Sequence, residues 1–152
     1  MMAQQVRPMR WWDIESVMAI EEPIFGATAW SAGQFWGELA RANRVYVVID
    51  DDEGVAAYAG VLIRPPTGDI QTIAVAPRAR RRGMAAAMLD HLLAMAESAG
   101  CREVLLEVRA DSDDAIALYQ SHGFEVIARR SGYYGPGLDA LIMRHGGSSR
   151  EK

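Results

Sequence analysis

The chain has 152 residues, half of them hydrophobic, and a formal net charge of −4, which suits one core in one domain and argues against a duplex nucleic-acid binder, since those are basic overall. Its single cysteine, Cys101, excludes an intrachain disulfide, and the three histidines His91, His122 and His145 lack ligand spacing, so no metal is expected. No apolar run reaches membrane-spanning length and no charged-then-apolar leader opens the chain, so a cytoplasmic protein without a membrane partner is the expectation.

Residues 1–5 read as a loose start. Residues 6–9 can form a strand that Pro8 confines to a sheet edge. A helix is expected over residues 13–22, with Ile14, Val17, Met18 and the pair Trp11-Trp12 as its apolar side and Pro23 as its end. Ser31 and Gln34 fit a capping box, in which a hydroxyl and an amide satisfy free N–H groups, so a second helix starts there with Phe35, Trp36 and Leu39 as its apolar face. Residues 44–50 and 55–63 are strands. The turn between them, Asp51-Asp52-Glu53-Gly54, reads as a solvated acidic hairpin in which glycine supplies the positive φ. Pro65-Pro66-Thr67-Gly68 is the next turn.

Residues 69–75 form a further strand, which Pro77 stops. From Met84 the pattern turns helical, with Ala85, Met88, Leu89, Leu92, Ala96 and Ala99 on one face and Gly100 as the cap. Cys101 reads as a small buried hydrophobe before a strand over residues 102–109. Ser112-Asp113-Asp114 opens a short helix over residues 115–121, closed by Gly123, and its acids complement the dipole. Two last strands, 124–130 and 139–144, flank a Gly- and Tyr-bearing loop. From Gly146 the tail is polar and expected to be disordered, which leaves one domain over residues 1–145. Meander strands leading into a βαβ crossover make an α/β fold, a mixed, mostly antiparallel sheet of about seven strands with about four helices.

The stretch that organises the rest is the passage from strand to long helix. Ile73, Ala74 and Val75 end the strand. Arg80, Arg81, Arg82, Gly83, Met84 and Ala85 then lead into the helix. A helix start exposes free N–H groups and the positive end of the dipole, and together these form an anion site. Gly83 and Ala85 let a phosphate approach the backbone closely. The run is neither a P-loop nor a Gly-x-Gly-x-x-Gly dinucleotide fingerprint. A basic helix start on a solvated face is the plain alternative.

Four further residues stand out. Glu107 lies within Val104-Leu105-Leu106-Glu107-Val108, where burying a carboxylate is costly unless it is paired or near water. It either pairs with Arg109 on the same face or serves as a general base at the open end of a strand. Tyr119, on the short helix after that strand, reads by itself as a half-buried packing residue with its hydroxyl in water. Tyr133 and Tyr134 are either surface aromatics on the Gly135-Pro136-Gly137 turn or the wall of a groove.

The loop Arg80-Arg81-Arg82-Gly83-Met84-Ala85 resembles the Gln/Arg-x-x-Gly-x-Gly/Ala pyrophosphate loop of the GNAT superfamily of acetyl-CoA-dependent N-acetyltransferases. Leu106-Glu107-Val108-Arg109, followed by Ala115-Ile116-x-Leu118-Tyr119-x-x-x-Gly123-Phe124, is similar to the second half of that family's cofactor site. More narrowly, it looks like the RimI-type ribosomal-protein-alanine N-acetyltransferases. Tyr133-Tyr134 and Asp139-Ala140-Leu141-Ile142-Met143 match the end of that group, and the Trp30-Ser31 and Phe35 region matches its substrate-side helix more loosely. The likeness covers residues 6–144.

The resemblance implies acetyl-CoA as co-substrate, no metal, a ternary complex and direct transfer. The thioester carbonyl would lie against N–H groups near Ile73, Ala74 and Val75, and the pyrophosphate against Arg80 through Ala85. Glu107, through water, would take the amine proton, and Tyr119 would protonate the leaving thiolate; a phenol near pKa 10 and a thiol near 8.5 are close enough for that. Trp30, Tyr133 and Tyr134 would contact the substrate. Where the family commonly has Asn this chain has Ser112, which can cap the helix but lacks an amide's paired donor and acceptor. The implied partner is a protein or peptide N-terminus, that of a ribosomal protein, with no direct nucleic-acid contact; a monomer is expected. An α-amine has pKa about 7.7–8.0 against about 10.4 for lysine, so one carboxylate working through water suits the easier amine. An acetyltransferase for a small amine, and a CoA-binding module without chemistry, are the competing readings.

Overall fold

A computed structural model describes residues 5–147. Most of the expected loose start and of the expected polar tail lies outside the described residues. The elements run β1 (Arg7–Pro8), α1 (Ile14–Phe25), α2 (Ala32–Leu39), β2 (Arg44–Asp51), β3 (Gly54–Arg64), β4 (Thr67–Val75), α3 (Met84–Ser98), β5 (Glu103–Arg109), α4 (Asp113–Ser121), β6 (Phe124–Arg130) and β7 (Ala140–Gly146). Short 3-10 turns at Trp11–Asp13, Gly26–Thr28 and Pro77–Ala79 join them. The seven strands form one mixed sheet in the order β1-β2-β3-β4-β5-β7-β6. The pairings β1/β2, β2/β3, β5/β7 and β6/β7 are antiparallel, whereas β4 and β5 are parallel over Thr67↔Glu103 to Asp69↔Leu105. Within this sheet the chain divides into two compact units: residues up to Leu62 with Gln71–Ala94, and Ile63–Ile70 with Met95 onward.

In the first unit, α1 buries Ile14, Val17, Ile20 and Glu21, a stripe at helical spacing. Its apolar members join Met9, Phe35, Tyr46, Val48 and Tyr58 in one core. The capping box forms as expected: Ser31 Oγ accepts from the Gln34 N–H at 3.1 Å, and Gln34 Oε1 accepts from the Ser31 N–H at 2.7 Å. Gly60 lies opposite Tyr46 on β2, and an added Cβ there would fall inside the Tyr46 ring.

Two expectations fail here. Pro23 does not end α1 but sits within it, and the helix continues to Phe25. In the last turn its missing N–H forgoes one intrahelical bond, which tolerates proline better than a helix centre would. Trp11, Trp12 and Trp36 do not face the core; they are 57%, 61% and 50% exposed. Trp11 and Trp12 sit in the 3-10 turn before α1, so the helical period does not reach them. Trp36 follows the fully buried Phe35, and a helix turns successive residues about 100° apart. Trp11 stacks on Trp36 at 5.7 Å and meets Trp12 edge-on at 5.5 Å.

In the second unit, β5 alternates as a half-buried strand does: Val104, Leu106 and Val108 are buried. Leu106 pairs with Met143 and Val108 with Leu141 across β7, so one apolar face runs through both strands. The expected tail begins too early, because Gly146 pairs with Glu103 and the Gly147 N–H donates to the Arg102 carbonyl at 2.8 Å. Cys101 is half-buried rather than buried, and its burial pushes the thiol up from its ordinary value. Among the described residues no helix is long and apolar enough to cross a membrane, and no group of three potential metal ligands forms.

Candidate functional site

The first unit supplies the loop at the start of α3. After Val75 the chain makes the turn Pro77–Ala79 and then passes through two left-handed residues, Arg81 at φ 66° and Gly83 at φ 79°. Arg81 is the only non-glycine with positive φ among the described residues. That conformation costs roughly 1–2 kcal/mol for a residue with a Cβ, and such outliers cluster at sites. The Gly83 carbonyl accepts from the Ala87 N–H at 3.0 Å, so Gly83 occupies the helix cap. Nothing lies within 4 Å of a Cβ built on Gly83. Backbone there faces open space beside the positive end of a 15-residue helix. Arg80, Arg81 and Arg82 are exposed, Met84 is buried and Ala85 half-buried. Met84 therefore offers the loop its backbone rather than its side chain.

The acidic hairpin is not merely solvated. Arg78 grips Asp51 with both Nε at 3.1 Å and Nη2 at 3.0 Å, and Arg82 Nη1 reaches Asp51 at 4.0 Å. Arg78 holds the Asp51 carboxyl below its ordinary range. Arg80 Nε donates to the Val75 carbonyl at 3.2 Å, tying the loop to the strand it leaves. The arginines thus shape the loop as well as charging it.

Trp30 stands in the connection between α1 and α2. Its ring lies 5.0 Å from Phe35, and it lines a cavity of about 230 Å³ with Gln34, Gly37, Glu38 and Arg41. Its backbone N–H donates to Glu21 Oε2 at 2.8 Å, while the Tyr58 hydroxyl donates to Glu21 Oε1. Glu21 is a carboxylate only 2% exposed, and sequence reasoning missed it. A signal was present: Glu21 lies four residues after Val17 and seven after Ile14, on the buried stripe of α1.

The second unit carries the candidate chemistry. Glu107 is exposed on the outer face of β5. It does not pair with Arg109, which is taken by Asp111 through Nε at 3.0 Å and Nη2 at 2.8 Å. Arg130 Nη1 donates to Glu107 Oε2 at 2.8 Å instead. Arg130 also lies over the Tyr133 ring, its Cζ 4.4 Å from the centroid. Tyr133 meets Tyr134 edge-on at 5.0 Å. Tyr134 is pushed up first by burial and then by the charge of Glu107. Glu107, Tyr133 and Tyr134 are therefore brought together, with Arg130 as the member that sequence reasoning missed.

Tyr119 is only 5% exposed, with its ring 5.7 Å from Phe124. Burial pushes its hydroxyl up to about 12, so it is a weaker acid than a free phenol. Ser112 precedes α4, but its side chain makes no capping bond; only its carbonyl serves, accepting from the Ile116 N–H at 3.0 Å. The expected hydroxyl cap is absent because Ser112 has ψ 74°, away from the extended backbone that aims a capping side chain at the helix.

The acetyltransferase (GNAT) family profile matches residues 9–124. A longer uncharacterised protein of Mycobacterium leprae is 38% identical over 138 residues, 87% of this chain, and the chain spans 38% of that protein's length. The ribosomal protein bS18-alanine N-acetyltransferase of Salmonella typhimurium is 33% identical over 134 residues, covering 86% of this chain and 89% of that enzyme. The crystal structure of the ribosomal-protein-S18-alanine N-acetyltransferase from Escherichia coli matches with a TM-score of 0.84 at 27% identity, over 99% of both chains. With a family match over most of its length and this fold, the chain belongs to the GNAT acetyltransferase family, as an acetyl-CoA-dependent N-acetyltransferase whose relatives include RimI-type enzymes.

Proposed function

We propose that the chain transfers the acetyl group of acetyl-CoA to the N-terminal α-amine of a protein, the N-terminal alanine of a small-subunit ribosomal protein, by direct attack in a ternary complex. The observation that carries this reading is the likeness along nearly the whole chain to enzymes named for that reaction. Residues 1–145 act as one N-acetyltransferase domain, in the cytoplasm and as a monomer. The strained, open backbone at Arg81 and Gly83 fits a pyrophosphate. Arg80, Arg81 and Arg82 add charge to it, and Met84 and Ala85 add helix-start N–H groups. Backbone at Ile73, Ala74 and Val75 holds the thioester carbonyl. Ser112 gives a weaker contact than an amide would.

In this reading the amine nitrogen attacks the thioester carbon, the C–S bond breaks and the CoA thiol leaves. Glu107, through water, accepts the proton that the amine loses. Tyr119 supplies a hydrogen bond to the sulfur as negative charge develops there. Tyr119 then gives its proton to the sulfur, so that CoA leaves as the thiol; because its hydroxyl is pushed up to about 12, that transfer comes late, as the C–S bond breaks. Trp30 is a substrate contact in this reading, Tyr133 and Tyr134 wall a groove for the peptide, and a small first residue such as alanine suits a pocket narrowed by their two rings. The test uses two peptides, one with a free and one with a blocked α-amine, each carrying an internal lysine. Acetylation of the free peptide alone is expected; equal rates on both would overturn N-terminal specificity.

A further inference from the structure

The register of the second unit sets Arg130 on a diagonal to Glu107. Glu107 faces Ile142, which faces Ala128; one step along, Arg109 faces Ala140, which faces Arg130. Directly opposed residues share a face. Arg130 therefore reaches across β7 where Ala140 presents only a methyl group. The bond to Glu107 Oε2, at 2.8 Å, is charge-assisted.

The guanidinium is itself held in place. Tyr133 covers one of its faces at 4.4 Å. Arg129 Nε donates to Asp139 Oδ2 and the Gly132 N–H donates to Asp139 Oδ1, both at 2.8 Å. One carboxylate thus ties the residue before Arg130 and the second residue after it. An ion pair this exposed contributes little to stability. Its effect is geometric: a lone surface glutamate samples many rotamers, and a fixed arginine removes most of them.

We propose that Arg130 is a positioning residue for acetyl transfer, clamped between Tyr133 and the Asp139-tied loop so that it fixes Glu107 by one carboxylate oxygen and leaves the other to face the proton it must accept. The proposal rests on the reading of Glu107 as the base. Arg130 touches the carboxylate, not the amine, so its removal acts on turnover through Glu107.

The test is a double-mutant cycle in the full chain with Arg130→Gln, Glu107→Gln and the double variant, and with Arg130→Lys as the conservative rescue. Arg130→Gln is expected to lower kcat by about 10-fold to 10²-fold, the scale of a misplaced catalytic group, with acetyl-CoA affinity unchanged. Arg130→Lys is expected to recover part of that loss. In the Glu107→Gln background, Arg130→Gln is expected to change nothing further. Full kcat in Arg130→Gln, or the same loss in both backgrounds, would overturn the positioning role while leaving the base reading intact. Full activity in Glu107→Gln alone would overturn both.

Discussion

Glu21 in the first unit and Glu107 in the second are both carboxylates on helix or strand positions whose neighbours are apolar, but the two surroundings treat them differently. Glu21 is sealed, and both of its hydrogen bonds come from neutral donors, the Tyr58 hydroxyl and the Trp30 N–H. Glu107 lies open and is bonded to a cation. A buried carboxylate held this way cannot exchange partners without leaving Tyr58 and Trp30 unsatisfied, so it fixes the chain around Trp30. An exposed carboxylate held by Arg130 through Oε2 keeps its other oxygen toward water, and the pair adds little to stability. Burial makes the first residue a fastener; exposure leaves the second available for chemistry.

Substitutions should separate the two roles, the largest effect first. Glu107→Gln is expected to reduce kcat/KM by about 10²–10⁴-fold, the range of a general base, while unfolding stability stays within about 0.5 kcal/mol. Steady-state kinetics beside urea unfolding checks both, and a matching loss of stability would erase the contrast. Glu21→Ala is expected to do the reverse, lowering stability by about 4 kcal/mol, because two buried donors lose their acceptor at about 1–3 kcal/mol each. The urea midpoint reads this, and Glu21→Gln should restore much of it.

A smaller effect comes from alkaline pH. Burial and then the Glu21 bond push Tyr58 well above a free phenol, and burial pushes Tyr119 up to about 12. A folded value above the unfolded one means the folded chain keeps a proton that the unfolded chain has lost. The stability so conferred is whole below the unfolded value of about 10 and drains away as pH rises through the folded one. Tyr119 alone should withdraw about 2 kcal/mol by pH 12, at 1.36 kcal/mol per pH unit and with the folded group half titrated there. Stability that holds level from pH 10 to pH 12 in urea titrations would contradict this.

Features set by neighbours in sequence were legible. The Ser31 capping box, the β2–β3 hairpin and the helix start at Met84 each depend on a few adjacent residues, and each stands in the structure. Glu107 was legible from the apolar alternation around it. Its partner was not: Arg130 becomes a neighbour only through the order β5-β7-β6, whereas Arg109, two residues away, was visible and finds Asp111 instead. The acidic hairpin was misjudged for the same reason, because Arg78 comes to Asp51 from 27 residues further on. The tryptophans at 11, 12 and 36 show another limit, since an apolar residue is assigned inward by default and only packing reveals which ones remain outside.

Those rings have a spectroscopic consequence. All four tryptophans, Trp11, Trp12, Trp30 and Trp36, belong to the first unit, and three of them are open to water. Indole emission should therefore be red-shifted even in the native protein and easily quenched by iodide. The second unit carries Tyr119, Tyr133 and Tyr134 but no indole. A melt followed by tryptophan fluorescence thus times the first unit and is nearly blind to the second.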